Sequence, residues 1–486
     1  MTQGLSYDKV EAVIHGRTAA EIATSVRDLV ASGALAAEAE LPTVRALADR
    51  LGVNRNTVAS AYAVLVNAGV AETGGRRGTR IAGIPQVPRE IDWTTDRTTS
   101  DGADAGRAPA AGPGGAAGLG GSSGLVDLAS GNPDPALLPS LATPASVGGY
   151  ETVLYGDPTI DPGLFAWASE QLSPLLPDAH GLVVAHGAVD AIDRVLGTHL
   201  TRGDAVAVED PCFLASIGML RVNGYRPAPV ATDEHGMVPV SLAEAISGGA
   251  RAVVCTVRAL NPTGASVPAQ RAAELRAVLA KHPHVLVIED DHFAGIATTD
   301  YHRVTPPRHS RWALVRSLSK FLGPDLRMAV VAADPDTTRR LETRLAVGAT
   351  WVSRLLQHIA HQLLTDPAVS QLLTRAAATY GERRHLLLDT LRRRGAPVSA
   401  IGTDGLNVWI KLDQPAGPVV AGLAVRGWAV SDGGIYALTD NPTPALRVTV
   451  STLTATRAAA FTDDLTDLIT DAEHHTQAAD QPEELQ

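Results

Sequence analysis

WALVRSLSKFLGPDLRMAVVA, residues 312–332, is the stretch from which most of this chain can be read. Two apolar runs of strand length, Trp312–Arg316 and Met328–Ala332, flank a polar connection that carries a lysine, two serines and an arginine. Short continuous apolar runs bounded by turn residues predict strands buried on both faces. Four more such runs precede it, at Leu182–Ala185, Ala205–Glu209, Ala252–Val257 and Val285–Glu289, with helical patterns between several of them. Buried strands alternating with helices predict an α/β body with a mostly parallel, doubly wound sheet, and ligands then collect at the carboxyl ends of the strands.

The chemically informative residues fall at those ends. Lys320 follows a predicted strand directly, between Ser317, Ser319 and Arg327, in a chain whose other lysines are Lys9, Lys281 and Lys411. Such an amine can form a Schiff base with an aldehyde, while hydroxyls and a guanidinium hold a phosphate. Asp290, in Ile288-Glu-Asp-Asp-His292, also ends a strand, where a buried carboxylate can pair with a protonated ring nitrogen. Asn261 opens Asn261-Pro-Thr-Gly264, and its amide can meet a phenolic oxygen. Gly187 and Ala188 stand between a strand and a helix start, where backbone N–H groups bind phosphate. Phe213, in Glu209-Asp-Pro-Cys-Phe213, is placed to stack on a flat ring. Taken one at a time, each has an ordinary structural reading: a surface lysine, a Pro-Thr-Gly turn, a core phenylalanine. Their order along the chain is what gives them weight.

The length of 486 residues predicts two or three domains. With 45% hydrophobic and 19% charged residues a large core is available, and global disorder is excluded. No apolar run reaches the roughly 18 residues of a membrane span, and the N-terminus lacks the pattern of a signal peptide. Two cysteines cannot make a disulfide scaffold and are not paired at metal-binding spacing, so a reduced, cytoplasmic protein is expected. The net charge of −11 argues against a chain that coats nucleic acid. It is unevenly spread, however: residues 1–90 carry 10 Lys+Arg against 9 Asp+Glu, and the remainder 31 against 43.

That near-neutral head, residues 1–83, reads as helices and a hairpin. Ile22, Val26, Leu29 and Val30 lie at helical spacing within Thr18–Ala31; Thr43 caps a short helix Val44–Leu51 that Gly52 ends; Asn54 caps a helix to about Asn67. A Gly-rich turn between residues 71 and 81 makes a small hairpin with basic residues at its tip. Helix, tight turn, helix and basic hairpin are the order of an α+β winged helix-turn-helix, whose second helix presents its N-terminal residues to base edges. Asn54, Arg55, Asn56 and Thr57 occupy that turn; Arg45 suits a backbone phosphate; Arg76, Arg77 and Arg80 suit a wing. Residues 84–124 follow; Ile91–Gly124 alone has nine glycines and seven alanines in 34 residues. Such a composition predicts a flexible linker, spanning on the order of 30 Å. The body is placed at residues 125–472 and a polar, frayed tail at 473–486.

Residues 41–81, LPTVRALADRLGVNRNTVASAYAVLVNAGVAETGGRRGTRI, resemble the DNA-binding head of GntR-type bacterial regulators. The body resembles the fold-type I aminotransferases, which bind pyridoxal 5′-phosphate (PLP), in the order phosphate turn, aromatic, Asn-Pro-x-Gly, Asp, Lys, Arg. A GntR-type head, a linker and such a body make up the MocR family of regulators, and "VEDPCF", "IEDDH" and "SLSKFLGPDLR" are close to its signatures. The vitamin-B6-linked PtsJ-like and PdxR-like members are nearer than the GABA-responsive type.

The resemblance implies Lys320 as the Schiff-base lysine, Asp290 as partner of the pyridine nitrogen, Asn261 at the ring oxygen and Phe213 stacked on the ring. It implies Gly187, Ala188, Ser317, Ser319 and Arg327 around the phosphate, with Tyr155 reaching it from a partner subunit, and Arg447 gripping a ligand carboxylate. His292 stands where the family usually has the tyrosine that contacts the ring oxygen, Phe213 where it has tyrosine, and Val189 where many members have glutamine. Ala215 replaces the second carboxylate-binding arginine of the GABA-responsive members, which argues against a GABA-like ligand.

The implied function is a homodimeric, PLP-dependent regulator of a double-stranded DNA operator, responding to PLP or a small amino compound. The alternatives are a working aminotransferase with an accessory head, and a body that has lost PLP and serves as a dimerisation scaffold.

Overall fold

The computed structural model describes residues 13–73, 78–83, 124–141 and 148–479. The expected linker, up to residue 123, and Arg76 and Arg77 of the expected wing lie outside the described residues. The chain divides into two compact units, the smaller of which holds the described residues up to 83 together with Thr201–Gly203 and Leu220–Arg226.

The head forms because each helix carries its own start and stop signal. Thr18 and Glu21 make a reciprocal capping box at the start of the helix Ala19–Ala31. Thr43 caps Val44–Leu51, which Gly52 ends in the left-handed conformation (φ 65°). Asn54 caps Arg55–Asn67 through its side chain, which accepts from the Asn56 N–H at 2.8 Å. Two short antiparallel strands close the unit, β1 (Ala71–Thr73) and β2 (Thr79–Ile81). Ile22, Val26, Leu47, Val58, Leu65 and Ile81 meet in its core, each essentially inaccessible to solvent. Leu29 and Val30, on the expected apolar stripe, pack at its margin.

The body begins with β3 (Val126–Asp127). Its main sheet is made from β4 (Gly181–Ala185), β5 (Ala205–Asp210), β6 (Arg226–Asp233), β7 (Gly236–Met237), β8 (Ala250–Thr256), β9 (Leu286–Asp290), β10 (Trp312–Ser317) and β11 (Ala329–Ala333). The six runs expected to be strands are all strands, with ends shifted by at most two residues. The spatial order is β4-β11-β10-β9-β8-β5-β6-β7. Strands β5, β8, β9 and β10 are parallel, and β11 runs antiparallel to both its neighbours. The reversal has a plain cause: residues 318–328 are too few for a crossover, so the chain turns back on the same edge.

The helix Ala188–His199 packs on β4, β9, β10 and β11, and Pro239–Ser247 on β5 and β8. A second, antiparallel sheet follows, in the order β12 (Ser399–Ile401), β13 (Asn407–Lys411), β16 (Ala445–Thr449), β15 (Ser431–Asp432). β14 (Trp428–Ala429) pairs in parallel with β3, which ties the start of the body to this smaller region. The tail differs from expectation: the last helix, Ala455–Ala479, continues past Asp471. Residues 471–479 contain neither glycine nor proline, so nothing in them stops a helix already under way.

Candidate cofactor site and DNA-reading surface

The turn between β10 and β11 carries the candidate Schiff-base lysine. Lys320 lies in a single helical turn, Ser319–Leu322, and its Nζ donates to the carbonyl of Gly131 at 3.3 Å. Phe321 and Leu322 hold that turn in an apolar cluster with Phe293, Ile359 and Tyr380. Arg327 closes the connection with a left-handed backbone (φ 46°). Its guanidinium rests against Gly187: a Cβ at that glycine would stand 3.4 Å from the nearer terminal nitrogen of Arg327. Gly187 begins the helix Ala188–His199, whose first turn has no side-chain cap. Its leading N–H groups therefore remain available to an anion. Ser317 and Ser319 are buried, and the Ser319 Oγ has no hydrogen-bond partner. A buried hydroxyl without a partner, an uncapped helix start and a guanidinium are groups that suit a phosphate.

Asp290 ends β9 opposite Thr256 of β8 and Val315 of β10. Its Oδ1 is buried and has no partner in the protein. Its neighbours are fully employed. Glu289 accepts from the Tyr301 hydroxyl (2.8 Å) and the Thr305 N–H (2.9 Å), and Asp291 takes a two-pronged pair from Arg258 and a third bond from Arg316. Of three consecutive carboxylates, Asp290 is the one with an oxygen to offer a guest. Beneath it Glu209, wholly buried, accepts from the Thr256 N–H. Burial pushes its pKa up to about 7, against the hydrogen bonds, and the charge of Asp290 adds to the rise.

Asn261 ends the next loop. Its Oδ1 accepts from Arg447 (3.3 Å) and Asn407 (3.4 Å). Arg447, opposite Trp409 in the smaller sheet, is completely buried; it also donates to the Ala129 carbonyl and lies over the Tyr436 ring at 5.0 Å. Phe213 is half-buried, in a loop held by the bond from the Cys212 N–H to the Tyr436 carbonyl (2.8 Å). Lys320, Asn261 and Arg447 thus gather around the segment 129–131. His292 lies against Asp290, its Nδ1 3.5 Å from Oδ2.

Tyr155 is not brought to this group: it is 92% exposed, edge-on to Trp351. Gly131, Asn407 and Tyr436 belong to the site and escape sequence reading. Gly131 reads as an ordinary turn before Asn132-Pro133, and Asn407 and Tyr436 come into place only when the smaller sheet folds over the strand ends.

On the head, Asn54, Arg55 and Asn56 are exposed at the start of their helix, with Thr57 half-buried. Arg45 is also exposed and only 3.8 Å from Asp49, a pair that solvent makes weak. Arg80 is turned onto its own unit, paired with Glu72 (2.6 Å) and Glu38 (2.8 Å). Glu72 is its cross-strand partner in the hairpin, which accounts for the pairing.

Residues 125–464 match the family Aminotransferase class I and II, and residues 18–81 match the bacterial regulatory proteins of the gntR family. The chain belongs to the class I and II aminotransferase family and carries a GntR-type head. This is the MocR architecture.

Among relatives, the chain is 42% identical over 441 residues to the vitamin B6 salvage pathway transcriptional repressor PtsJ of Salmonella typhimurium, covering 91% of this chain and 96% of that one. It is 26% identical over 428 residues to the pyridoxine biosynthesis transcriptional regulator PdxR of Corynebacterium glutamicum, covering 85% and 87%. In fold, the aminotransferase body is similar to LysN, the α-aminoadipate aminotransferase of Thermus thermophilus in complex with N-(5′-phosphopyridoxyl)-L-leucine. The TM-score is 0.63 at 23% identity, covering 72% of this chain and 94% of that one. A multiple substrate aminotransferase from Thermococcus profundus gives a TM-score of 0.65 at 20% identity, covering 73% and 93%.

PLP is the cofactor of this family of bodies, and the geometry fits it. The unpartnered Oδ1 of Asp290 suits a protonated ring nitrogen, and the unpartnered Oγ of Ser319 suits its phosphate. Bound there, the cofactor supplies an aldehyde and an electron-withdrawing ring. No described helix is long and apolar enough to cross a membrane.

Proposed function

We propose that the protein is a PLP-dependent transcriptional regulator of the cytoplasm, whose aminotransferase-type body senses PLP or a small amino compound through a Schiff base at Lys320. The observation that carries this reading is the intact cradle of Lys320, Asp290, Ser319 and Arg327 on the same chain as an exposed reading turn at Asn54–Asn56. Resemblance along nearly its whole length to a repressor of vitamin B6 salvage supports it.

In this reading the residues divide the work. Lys320 presents its amine to the aldehyde. Ser317, Ser319, Arg327 and the start of Ala188–His199 hold the phosphate. Asp290 keeps a proton on the ring nitrogen with His292 beside it, Asn261 lies along the ring's edge, and Phe213 covers its face. Arg447 receives a carboxylate where the ligand has one. The exposed Tyr155 serves the site of a second copy, so the regulator is a homodimer. The head reads a double-stranded operator through Arg55 and Asn56, while Arg45 and the wing, Arg76 and Arg77 included, hold phosphates. Ligand binding shifts the population of head arrangements only as far as it favours one of them.

Operator binding by the purified full chain, measured with and without PLP, tests the reading. The expected result is a change in affinity or footprint, a visible absorption band with PLP, and loss of that band in Lys320→Ala. Equal affinity, an equal footprint and no band overturn it. Lys320 and Arg447 together also suit a working aminotransferase with an accessory head. Sustained turnover of an amino donor and a keto acceptor would establish that second reading.

A further inference from the structure

His292 stands two residues beyond Asp290, just past the end of β9. Its position in the chain suggests a contact to the oxygen of the cofactor ring. The structure sets it against Asp290. Its Nδ1 lies 3.5 Å from Oδ2 of Asp290, and the two side chains are only 16% and 14% exposed. Nδ1 is buried without a hydrogen-bond partner, as is the other oxygen of Asp290, Oδ1. The ring is steadied edge-on by Phe293 at 6.2 Å between centroids. A ring nitrogen able to donate thus stands 3.5 Å from a carboxylate oxygen in a buried place. A small turn of either side chain closes the pair, and buried polar groups left open carry a cost.

The surroundings leave this task to His292. Glu209, below Asp290, holds a proton up to about pH 7. The thiols of Cys212 and Cys255 are pushed up by burial and by the nearby carboxylates, Asp290 among them. The nearby arginines are engaged on the adjoining carboxylates, Arg258 and Arg316 on Asp291 and Arg303 beside Glu289. Lys320 points to Gly131. Among the described residues, His292 is the basic side chain within ion-pair distance of the Asp290 carboxylate.

We propose that His292 is a positioning residue: it donates from Nδ1 to Oδ2 of Asp290, so that Oδ1 is held toward the ring nitrogen of PLP, and it makes no contact with the ring oxygen. The inference rests on the PLP reading above. A carboxylate free to rotate spreads its interaction over several orientations. One fixed by a neighbouring N–H keeps its other oxygen on the guest, and the bond also sets the tautomer of the imidazole.

The test uses the full chain loaded with PLP, reading cofactor affinity and the pH midpoint of its visible absorbance. His292→Phe keeps the ring and removes the donor. It should weaken PLP binding about tenfold and move the midpoint by roughly half a pH unit or more. His292→Asn, whose amide nitrogen falls near Nδ1, should restore both. His292→Gln, whose amide reaches the Nε2 position, and His292→Tyr, which reaches for the ring oxygen, should not. If His292→Phe does not fold, the contrast between His292→Asn and His292→Gln carries the test alone. Unchanged affinity and midpoint in His292→Phe, or rescue by His292→Tyr or His292→Gln in place of His292→Asn, overturns the proposal while the PLP reading stands. Absence of an absorbance band in the wild type overturns both.

Discussion

Glu289, Asp290 and Asp291 are chemically near-identical neighbours with unlike fates. Successive side chains of a strand point to opposite faces, and Asp290 alone of the three keeps a buried oxygen without a partner. Glu289 and Asp291 are locked in networks of Tyr301, Thr305, Arg258 and Arg316. Glu209 adds a fourth carboxyl, and its behaviour is predictable. Its pKa rises from 4.5 to about 7 on folding, so between those values the native state holds a proton that the unfolded chain has lost. Its contribution to stability is therefore complete below about pH 4.5 and disappears as pH rises through about 7. The difference is on the order of 3 kcal/mol. Urea unfolding at pH 5 and pH 8 should show this slope in the wild type. Glu209→Gln, which keeps an acceptor for Thr256, should flatten it; an equal slope in both proteins would refute the assignment.

In the proposed reading, the helix Arg55–Asn67 and the turn before it are the elements that meet the operator. Arg55 and Asn56 are exposed at its start, whereas Arg80 of the hairpin is held by Glu38 and Glu72. The side chains should therefore differ in what they do. Arg45→Ala should weaken binding to all sequences alike and reduce the salt slope by about one. Arg55→Ala should cost about 1–3 kcal/mol on the preferred operator and relax its sequence preference. Binding isotherms at several salt concentrations, on operator and scrambled DNA, separate the two. The head helices are legible because caps and hydrophobic spacing are local. Arg80 is not, because the glutamate Glu38 that engages it lies far away in the sequence.

At the scale of the molecule, the core of the head shares no residue with the cores of the body, which predicts two responses. Ile22, Val26 and Leu65 belong to the head's core, and Val253, Leu275 and Val287 to one of the body's. Calorimetry of the full chain should show PLP raising the unfolding temperature of the body more than that of the head. At 100 times the dissociation constant, binding adds about 2.7 kcal/mol to the unit that holds the ligand. A uniform rise across the whole transition would instead mean that the two units unfold as one.

Legible in the sequence were a GntR-type head ahead of an α/β body and the six main strands, with Lys320, Asp290 and Arg447 singled out as candidates. The head and the strands rest on local periodicity and caps, Lys320 and Asp290 on their places at strand ends, and Arg447 on the family resemblance alone. The tertiary structure adds that β11 runs backwards, that Asp290 keeps an open oxygen while its neighbours do not, and that Gly131, Asn407 and Tyr436 contact Lys320, Asn261 and Arg447. It also turned His292 onto Asp290. Such facts depend on contacts between residues distant in the sequence and on which face each side chain takes, and no local pattern carries that information.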